Sequence, residues 1–171
     1  MRIAVFSDNF YPELSGIADS IMRSGIELAR RGHSVAFYAP RYSAKNYQMV
    51  NRSHEEPREK RIEIRRFASF PYPTPTGQGR LVIPSGFRSI AIRRFHPDVA
   101  HVHLPFGVGL EGLLATRLLR IPLIGTNHTP MSEFVRYSPF RGKQITAAIL
   151  KYTVWFYNHC HYASAPSNPV L

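Results

Sequence analysis

The amino-terminal strand, loop, helix, strand pattern constrains the fold of this chain more than any other feature. Residues 3–6 (IAVF) form a short apolar run of the kind that is buried on both faces of a parallel sheet. Apolar residues then recur at helical spacing up to Arg30-Arg31-Gly32, where two cations and a glycine suit the end of a helix. Residues 34–39 form a second apolar run. The pattern predicts an α/β, Rossmann-like domain with a mostly parallel sheet and helices on both faces.

The loop between the first strand and the first helix allows two interpretations. It places Ser15 and Gly16 at the first turn of the helix. Free backbone N–H groups at such a turn attract anions, so a turn that faces phosphate is one interpretation. The other is that Gly16 only lets the chain turn into the helix. No G-x-G-x-x-G follows the strand, which argues against a nicotinamide site.

Size and composition indicate one globular domain. The chain has 171 residues, of which 44% are hydrophobic, and it contains no apolar run of the length that crosses a bilayer. Polar residues and Pro12 interrupt the amino terminus, which argues against a signal peptide. The single cysteine, Cys160, excludes an internal disulfide and favours a reducing, cytoplasmic environment.

The strong positive charge favours polyanionic partners. The chain has 22 Lys and Arg against 11 Asp and Glu, a net charge of +11. No zinc-ligand spacing, RNA-binding aromatic strand or basic helix leading into heptads is present, so the prediction is no nucleic acid. We expect a helix that begins at Pro84, with an apolar stripe and the cations Arg88, Arg93 and Arg94. It is interpreted either as a helix packed on the sheet with its arginines outward or as a basic amphipathic helix on an anionic membrane.

The middle of the chain is predicted from composition. Residues 41–59 are polar with few apolar anchors and are expected to form a surface loop. Residues 61–67 alternate charged and apolar side chains, which indicates a strand near the sheet edge. Residues 70–79 hold three prolines and two glycines, which argues against regular structure.

Polar residues follow three of the predicted strands where each strand ends. Asp8 follows the first strand, His103 ends the strand at residues 99–103, and His128 follows the strand at residues 121–126. If these strands are parallel, the three side chains converge at the carboxyl edge, where open α/β sheets bind ligands. His101 shares a strand face with His103 but lies deeper and is expected to be structural. Two histidines without a third ligand at a telling spacing argue against a metal site.

Three motifs carry a family resemblance. An acidic residue after the first strand is followed by P-x-x-(S/G)-G-(I/V) and by a helix that ends R-R-G-H-x-V. Residues 98–103 have the pattern D-(V/I)-(V/A)-H-(V/L)-H, and residues 127–134 have the sequence NHTPMSEF. Together they resemble the opening of GT-B retaining glycosyltransferases of family 4, and in particular lipid-directed members that act on diacylglycerol or phosphoinositides. Ser15-Gly16 stands where that family often has Gly-Gly.

The resemblance implies roles for particular residues. His128 would be catalytic, hydrogen-bonding the transferred sugar or the acceptor, although a loop histidine with satisfied hydrogen bonds is the alternative. Gly16 and Ser15 would lie near the donor's phosphates, and Arg88, Arg93 and Arg94 at the membrane surface. The residues expected to contact the acceptor are Asp8, Asn9, His103, Thr129 and Glu133.

The resemblance also implies that two domains bind the two substrates separately. Residues 1–171 would be the amino-terminal acceptor domain, and a carboxyl-terminal domain outside this chain would bind the nucleotide-sugar donor. Ser167 or Asn168 is expected to cap a new helix, which predicts a longer protein. The domain alone is expected to be inactive and to bind neither a cofactor nor a metal. The whole enzyme would be cytoplasmic and peripheral to the inner face of the plasma membrane.

Two other functions stay open at this point. The same family could act on a soluble sugar or sugar phosphate, or the chain could be a non-enzymatic, Rossmann-like nucleotide-binding module. A Ser-His-Asp hydrolase is disfavoured because the chain contains no G-x-S-x-G elbow.

Overall fold

A computed structural model of the chain describes residues 1–56, 59–74, 76–128 and 142–166. A six-stranded sheet in the order β3-β2-β1-β6-β7-β8 forms its centre, and every neighbouring pair of strands in it is parallel. The expectation of a Rossmann-like, mostly parallel sheet is therefore confirmed. The strands are β1 (Arg2–Phe6), β2 (Ser34–Pro40), β3 (Ile62–Phe67), β4 (Phe70–Pro71), β5 (Arg80–Leu81), β6 (Val99–Val102), β7 (Leu123–Thr126) and β8 (Tyr162–Ser164). The helices are α1 (Gly16–Arg30), α2 (Ala44–Met49), α3 (Ser89–Arg93), α4 (Gly107–Leu119) and α5 (Lys143–Asn158).

Helices cover both faces of the sheet, as predicted. Alternate residues of a strand point to opposite faces, and β1 divides in this way between two cores. Ala4 and Phe6 pack in one core with buried residues of α3, α4 and α5. Ile3 and Val5 pack in the other core, which includes Ile21 of α1. The apolar run of β1 is continuous because both of its faces are covered.

The strand order reverses between β1 and β6, which places a crevice at their carboxyl ends. β2 and β3 extend from one side of β1, whereas β6, β7 and β8 extend from the other. Connections leave such neighbouring strands in opposite directions, and ligands of open α/β sheets bind in the crevice that results. The loop after β1 and the segment after β6 both begin there.

The predicted loop at residues 41–59 contains a short helix, so that interpretation is wrong in part. Residues 44–49 form α2, in which Asn46 and Tyr47 are buried. The Asn46 side chain accepts a hydrogen bond from the backbone N–H of Ser43 at 3.0 Å and so caps the helix. The Tyr47 ring packs edge-on against Tyr11, with the ring centroids 6.1 Å apart. These contacts with the loop after β1 supply the anchoring that the polar composition concealed.

Residues 70–79 also contain more regular structure than predicted. Phe70 and Pro71 pair antiparallel with Leu81 and Arg80 as a two-residue ladder. Pro71 is tolerated because a two-residue strand pair outside the main sheet needs few ladder hydrogen bonds.

The helix expected from Pro84 is shorter than predicted and turns a different side inward. Gly86 has a φ of +71°, which is incompatible with a continuous helix from Pro84, and α3 spans only Ser89–Arg93. The buried side chains of this segment are Ile92 and Phe95. Phe87 is 84% exposed and Ile90 is 66% exposed. The expected apolar stripe therefore faces outward in part.

Helix α5 packs through one side only. Thr153 and Phe156 are its buried residues, whereas Leu150, Val154 and Trp155 are exposed. Among the described residues, no helix combines the length and the apolar character that a bilayer crossing requires.

Candidate active site

Asp8 joins the end of β1 to the beginning of α4. Its carboxylate accepts hydrogen bonds from the backbone N–H groups of Val108 at 2.8 Å and of Gly109 at 3.2 Å. These groups lie in the first turn of α4, where the N–H groups lack helical partners and the helix dipole favours a negative charge. Burial raises the pKa of Asp8 to about 6, against the lowering effect of these hydrogen bonds. Asp8 lies at the predicted edge, and its contacts give it a positioning role for α4.

The ends of β6 and β7 bring two histidines together. The Nδ1 atom of His103 lies 2.8 Å from Nε2 of His128, and the ring centroids are 5.1 Å apart. The His101 ring packs against the His103 ring at a tilt of 37°, with the ring centroids 4.0 Å apart. Its Nε2 atom lies 2.6 Å from Oγ1 of Thr126. The predicted convergence is therefore present for His103 and His128, the side chains at the ends of β6 and β7.

The three histidines form an uncharged cluster at neutral pH. Burial lowers the pKa of His101 to about 4 and that of His103 well below its ordinary value. Burial also lowers the pKa of the half-buried His128. Between two neutral imidazoles, one ring nitrogen must donate its N–H to the lone pair of the other. The His103–His128 contact therefore fixes the tautomer and the ring orientation of one histidine relative to the other.

A cavity of about 560 Å³ opens beside Asp8 at the same edge of the sheet. Asp8, Asn9 and Glu13, from the loop after β1, supply a polar part of its lining that we call the polar end, and the role of Asn9 as an acceptor contact stays a prediction. Its apolar lining comes from several elements, namely Tyr72, Leu81, Phe106, Ile145 and Ile149. A polar end joined to apolar walls suits a ligand that has both kinds of surface.

The first turn of α1 lies at this edge too, because α1 begins after β1 and the strands are parallel. Ser15 is the N-cap, and its side chain accepts a hydrogen bond from the backbone N–H of Ile17 at 3.2 Å. A Cβ atom added to Gly16 would meet nothing within 4 Å, so this turn borders open space. That environment leaves room for a ligand, and the role of Ser15 and Gly16 near phosphate stays a prediction.

The three arginines predicted at a membrane surface do not share one environment. Arg88 points inward and forms an ion pair with Glu111 of α4, with a guanidinium nitrogen 3.0 Å from Oε2. Glu111 is fully buried, and the same oxygen accepts from the backbone N–H of Ser85 at 2.6 Å. Arg93 and Arg94 are exposed. The expectation of three outward arginines is therefore wrong for Arg88, because a buried carboxylate requires a cation or hydrogen-bond donors.

Two of the predicted acceptor residues, Thr129 and Glu133, lie outside the described residues, as do the predicted cap residues Ser167 and Asn168. Sequence reasoning missed Glu13, which lines the cavity. The signal was present in the sequence, since Glu13 is a carboxylate within the P-x-x-(S/G)-G loop that precedes α1.

Comparison of the chain with known proteins identifies relatives among glycosyltransferases. The model of the family Glycosyltransferase Family 4 matches residues 14–171. The alpha-monoglucosyldiacylglycerol synthase of Streptococcus pneumoniae is 31% identical over 161 residues, which cover 93% of this chain and 33% of that protein. A GDP-mannose-dependent alpha-mannosyltransferase of Mycolicibacterium smegmatis is 31% identical over 134 residues, covering 78% of this chain and 34% of that protein. The chain thus spans about a third of the length of these curated relatives.

Among solved structures, MurG of Acinetobacter baumannii has a similar fold. It superposes with a TM-score of 0.58 at 12% sequence identity, and the match covers 99% of this chain and 42% of that one. At this identity the likeness concerns the fold alone. It supports the Rossmann-like assignment made from the strand order.

Proposed function

Because the chain belongs to glycosyltransferase family 4, we propose that it is the amino-terminal, acceptor-binding domain of a retaining enzyme. In this proposal the whole enzyme transfers a hexose from a nucleotide sugar to a lipid at the cytosolic face of the plasma membrane. One observation carries this proposal. The His103–His128 pair and a cavity with apolar walls lie at the carboxyl edge of one parallel sheet. The shorter span of the chain relative to its curated relatives supports a second, donor-binding domain outside it.

The transfer requires two tasks that residues at this edge can share. The bond between the anomeric carbon and the diphosphate oxygen breaks, and its electron pair leaves with the diphosphate. A bond forms from the acceptor oxygen to the anomeric carbon, and the proton of the acceptor hydroxyl passes to the departing diphosphate. Charge on the leaving diphosphate must be stabilised, and the acceptor hydroxyl must be held in place.

In our proposal each group at the edge has one of these tasks. The α1 turn at Ser15-Gly16 faces the donor's phosphates with backbone N–H groups. His128 hydrogen-bonds the reacting sugar or acceptor, and its neutral state makes it a hydrogen-bonding group rather than a cation. The proposed acceptor contacts are Asp8, Asn9, His103, Thr129 and Glu133. The domain itself binds no cofactor.

A lipid acceptor is favoured by the cavity and by one relative. Apolar side chains dominate the cavity walls, and these suit an acyl chain better than a small soluble sugar. The Streptococcus pneumoniae relative is a synthase of alpha-monoglucosyldiacylglycerol, a glycolipid. The second candidate keeps the family and assigns a soluble sugar or sugar-phosphate acceptor, since the Mycolicibacterium smegmatis relative is named only for its donor.

Hexose transfer by the full-length protein that carries this chain is the direct test. We expect a labelled glycolipid from dioleoylglycerol with UDP-glucose or GDP-mannose as donor, analysed by chromatography. Residues 1–171 alone are expected to give no product, because the domain that binds the nucleotide-sugar donor would be missing. Transfer only to soluble sugars would favour the second candidate. Binding of nucleotide without transfer to any acceptor would favour the nucleotide-binding module.

We also propose that the segment around α3 contacts the membrane surface. Ile83, Phe87 and Ile90 are exposed apolar residues next to the exposed cations Arg93 and Arg94. Such a combination suits the boundary between acyl chains and anionic head groups. Arg88 supports this surface from below through its ion pair with Glu111 rather than by touching lipid.

Vesicle flotation tests this surface. We expect the protein to float with phosphatidylglycerol vesicles at low salt and to be released as salt rises, because salt screens exposed charges. Replacing Arg93 and Arg94 together with alanine should weaken partitioning about 30-fold, since each cation near an anionic surface contributes about 1 kcal/mol. The matched control removes Arg23 and Arg30 from α1, on the opposite face of the sheet. Equal losses in the two double variants would assign the effect to net charge and contradict a specific surface.

A further inference from the structure

The carboxylate of Glu13 is held at the polar end of the cavity by a buried tyrosine. The hydroxyl of Tyr42 donates to Oε2 of Glu13 at 3.1 Å. Tyr42 is buried, and its hydroxyl oxygen also accepts from the backbone N–H of Phe10 at 3.3 Å. The backbone carbonyl of Glu13 accepts from Arg52 at 3.4 Å. Side chain and backbone are therefore both positioned before any ligand binds.

Glu13 has an unusual environment for a carboxylate. Within the part of the chain that the structure describes, no Lys, Arg or His lies within ion-pair distance of its side chain. Burial raises the pKa of Glu13 to about 7, and the nearby charge of Asp8 acts in the same direction. A carboxyl group in this setting gains from a ligand hydroxyl, because a hydrogen bond from that hydroxyl replaces the water lost on burial.

Among the described residues, the one cation that lines the same cavity, Arg80, is already engaged. Arg80 donates from Nε to the Ser69 hydroxyl at 3.0 Å and from a terminal nitrogen to the Ser69 carbonyl at 2.7 Å. The polar end thus combines two carboxyl groups, Asp8 and Glu13, with one guanidinium that is held by its own loop. Above pH 7, where Glu13 is mostly ionised, this charge pattern disfavours a phosphate placed against Glu13, because like charges in a partly desolvated site repel strongly.

We propose that Glu13 binds a hydroxyl of the acceptor and makes the site select an uncharged, hydroxyl-bearing lipid over a phosphorylated acceptor. This inference rests on the proposed function and deepens it, because it chooses one acceptor class for the same cavity. The apolar walls accept the hydrocarbon part of such a lipid, and Glu13 faces its polar end. Tyr42 acts as a positioning residue for the Glu13 carboxylate.

The test compares two acceptors that differ only in the head group. The full-length protein is assayed with dioleoylglycerol and with dioleoyl phosphatidylinositol in the same detergent micelles at about pH 8.5, where the Glu13 carboxylate is ionised. For Glu13→Gln, which keeps the size of the side chain, we expect kcat/KM for dioleoylglycerol to fall about tenfold. The ratio of phosphatidylinositol to dioleoylglycerol use should rise at least about tenfold, because the repulsive charge is gone. Tyr42→Phe should change the ratio in the same direction by a smaller factor.

The control is Glu27→Gln, which removes a carboxylate from the exposed surface of α1 and should leave the ratio unchanged. Circular dichroism verifies that each variant is folded. If Glu13→Gln does not fold, the ratio of phosphatidylinositol to dioleoylglycerol use measured for Tyr42→Phe tests the role of Glu13. An active wild-type protein whose ratio does not change in either variant would overturn the role of Glu13 while the proposed function stands. A wild-type protein that prefers phosphatidylinositol would also overturn it. Absence of transfer to every acceptor would instead refute the proposed function, and this inference with it.

Discussion

Replacing His128 with alanine in the full-length protein is expected to lower kcat for hexose transfer by about 100-fold. Removal of one positioned hydrogen-bonding group from a reacting centre has effects of this order. His128 follows β7 directly and is half-buried, so its ring is well placed to meet a ligand at the sheet edge. The loss should appear in kcat more than in KM for the donor, because the nucleotide would bind mainly to the other domain.

The contact with His103 holds the His128 ring in one orientation. The 2.8 Å hydrogen bond orients the His128 ring from behind, and burial lowers the pKa of His103, which keeps that ring uncharged. A variant that keeps a hydrogen-bonding side chain, His128→Gln, should recover part of the loss if hydrogen bonding is the function. His103→Ala should lower kcat by a smaller factor, because it removes the orientation of His128 and leaves the imidazole.

The matched control for His128 is another histidine of the same chain. His33 precedes β2 and therefore lies at the amino edge of the sheet, opposite the candidate site. His33→Ala should leave kcat within about twofold of the wild-type value, because surface positions remote from a site have small effects. If His128→Ala were equally mild, His128 would be the loop histidine with satisfied hydrogen bonds that the sequence also allowed.

The features that the sequence predicted depend on periodicity and strand order. The apolar runs of β1 and β2 have the length and composition of strands buried on both faces, and α1 lies between them with its caps in place. In a parallel sheet these facts determine which edge receives the strand ends. The meeting of His103 and His128 followed from that rule, although the hydrogen bond between them did not.

The features that it missed depend on pairs of residues far apart in the chain. The Asp8 carboxylate binds a backbone N–H group 100 residues away, and Arg88 meets Glu111 across two helices. The composition of a basic segment does not indicate which of its arginines will pair with a buried carboxylate. Glu13 and Tyr42 are likewise joined only in the fold. Tertiary contacts of this kind decide which charges face the ligand and which hold the scaffold.

Asp8 makes the candidate site depend on how closely α4 approaches the sheet. Its bonds to Val108 and Gly109 require the first turn of α4 to lie against the end of β1. Glycine allows that approach, since a Cβ atom at Gly109 would lie 1.7 Å from the carbonyl oxygen of Leu104. Leu104 is itself buried, so its backbone has little room to retreat.

Gly109→Ala is therefore expected to lower the free energy of unfolding by about 3 kcal/mol or more, at or beyond the upper end of the usual cost of overpacking a core. The clash is with backbone, which cannot change rotamer to relieve it. Urea denaturation followed by circular dichroism measures the change. The matched control is Gly16→Ala, a second helical glycine whose added Cβ would meet nothing within 4 Å.

Neither glycine has a positive φ, so the two substitutions differ in available space and not in backbone strain. Gly16→Ala should be neutral or stabilising by up to about 1 kcal/mol, because alanine favours the helix. A Gly109→Ala protein as stable as the Gly16→Ala protein would show that α4 can move away from Leu104. The Asp8 hydrogen bonds would then not hold α4 as tightly as the candidate site requires, since a shift large enough to fit one methyl group would also separate the carboxylate from its two N–H donors.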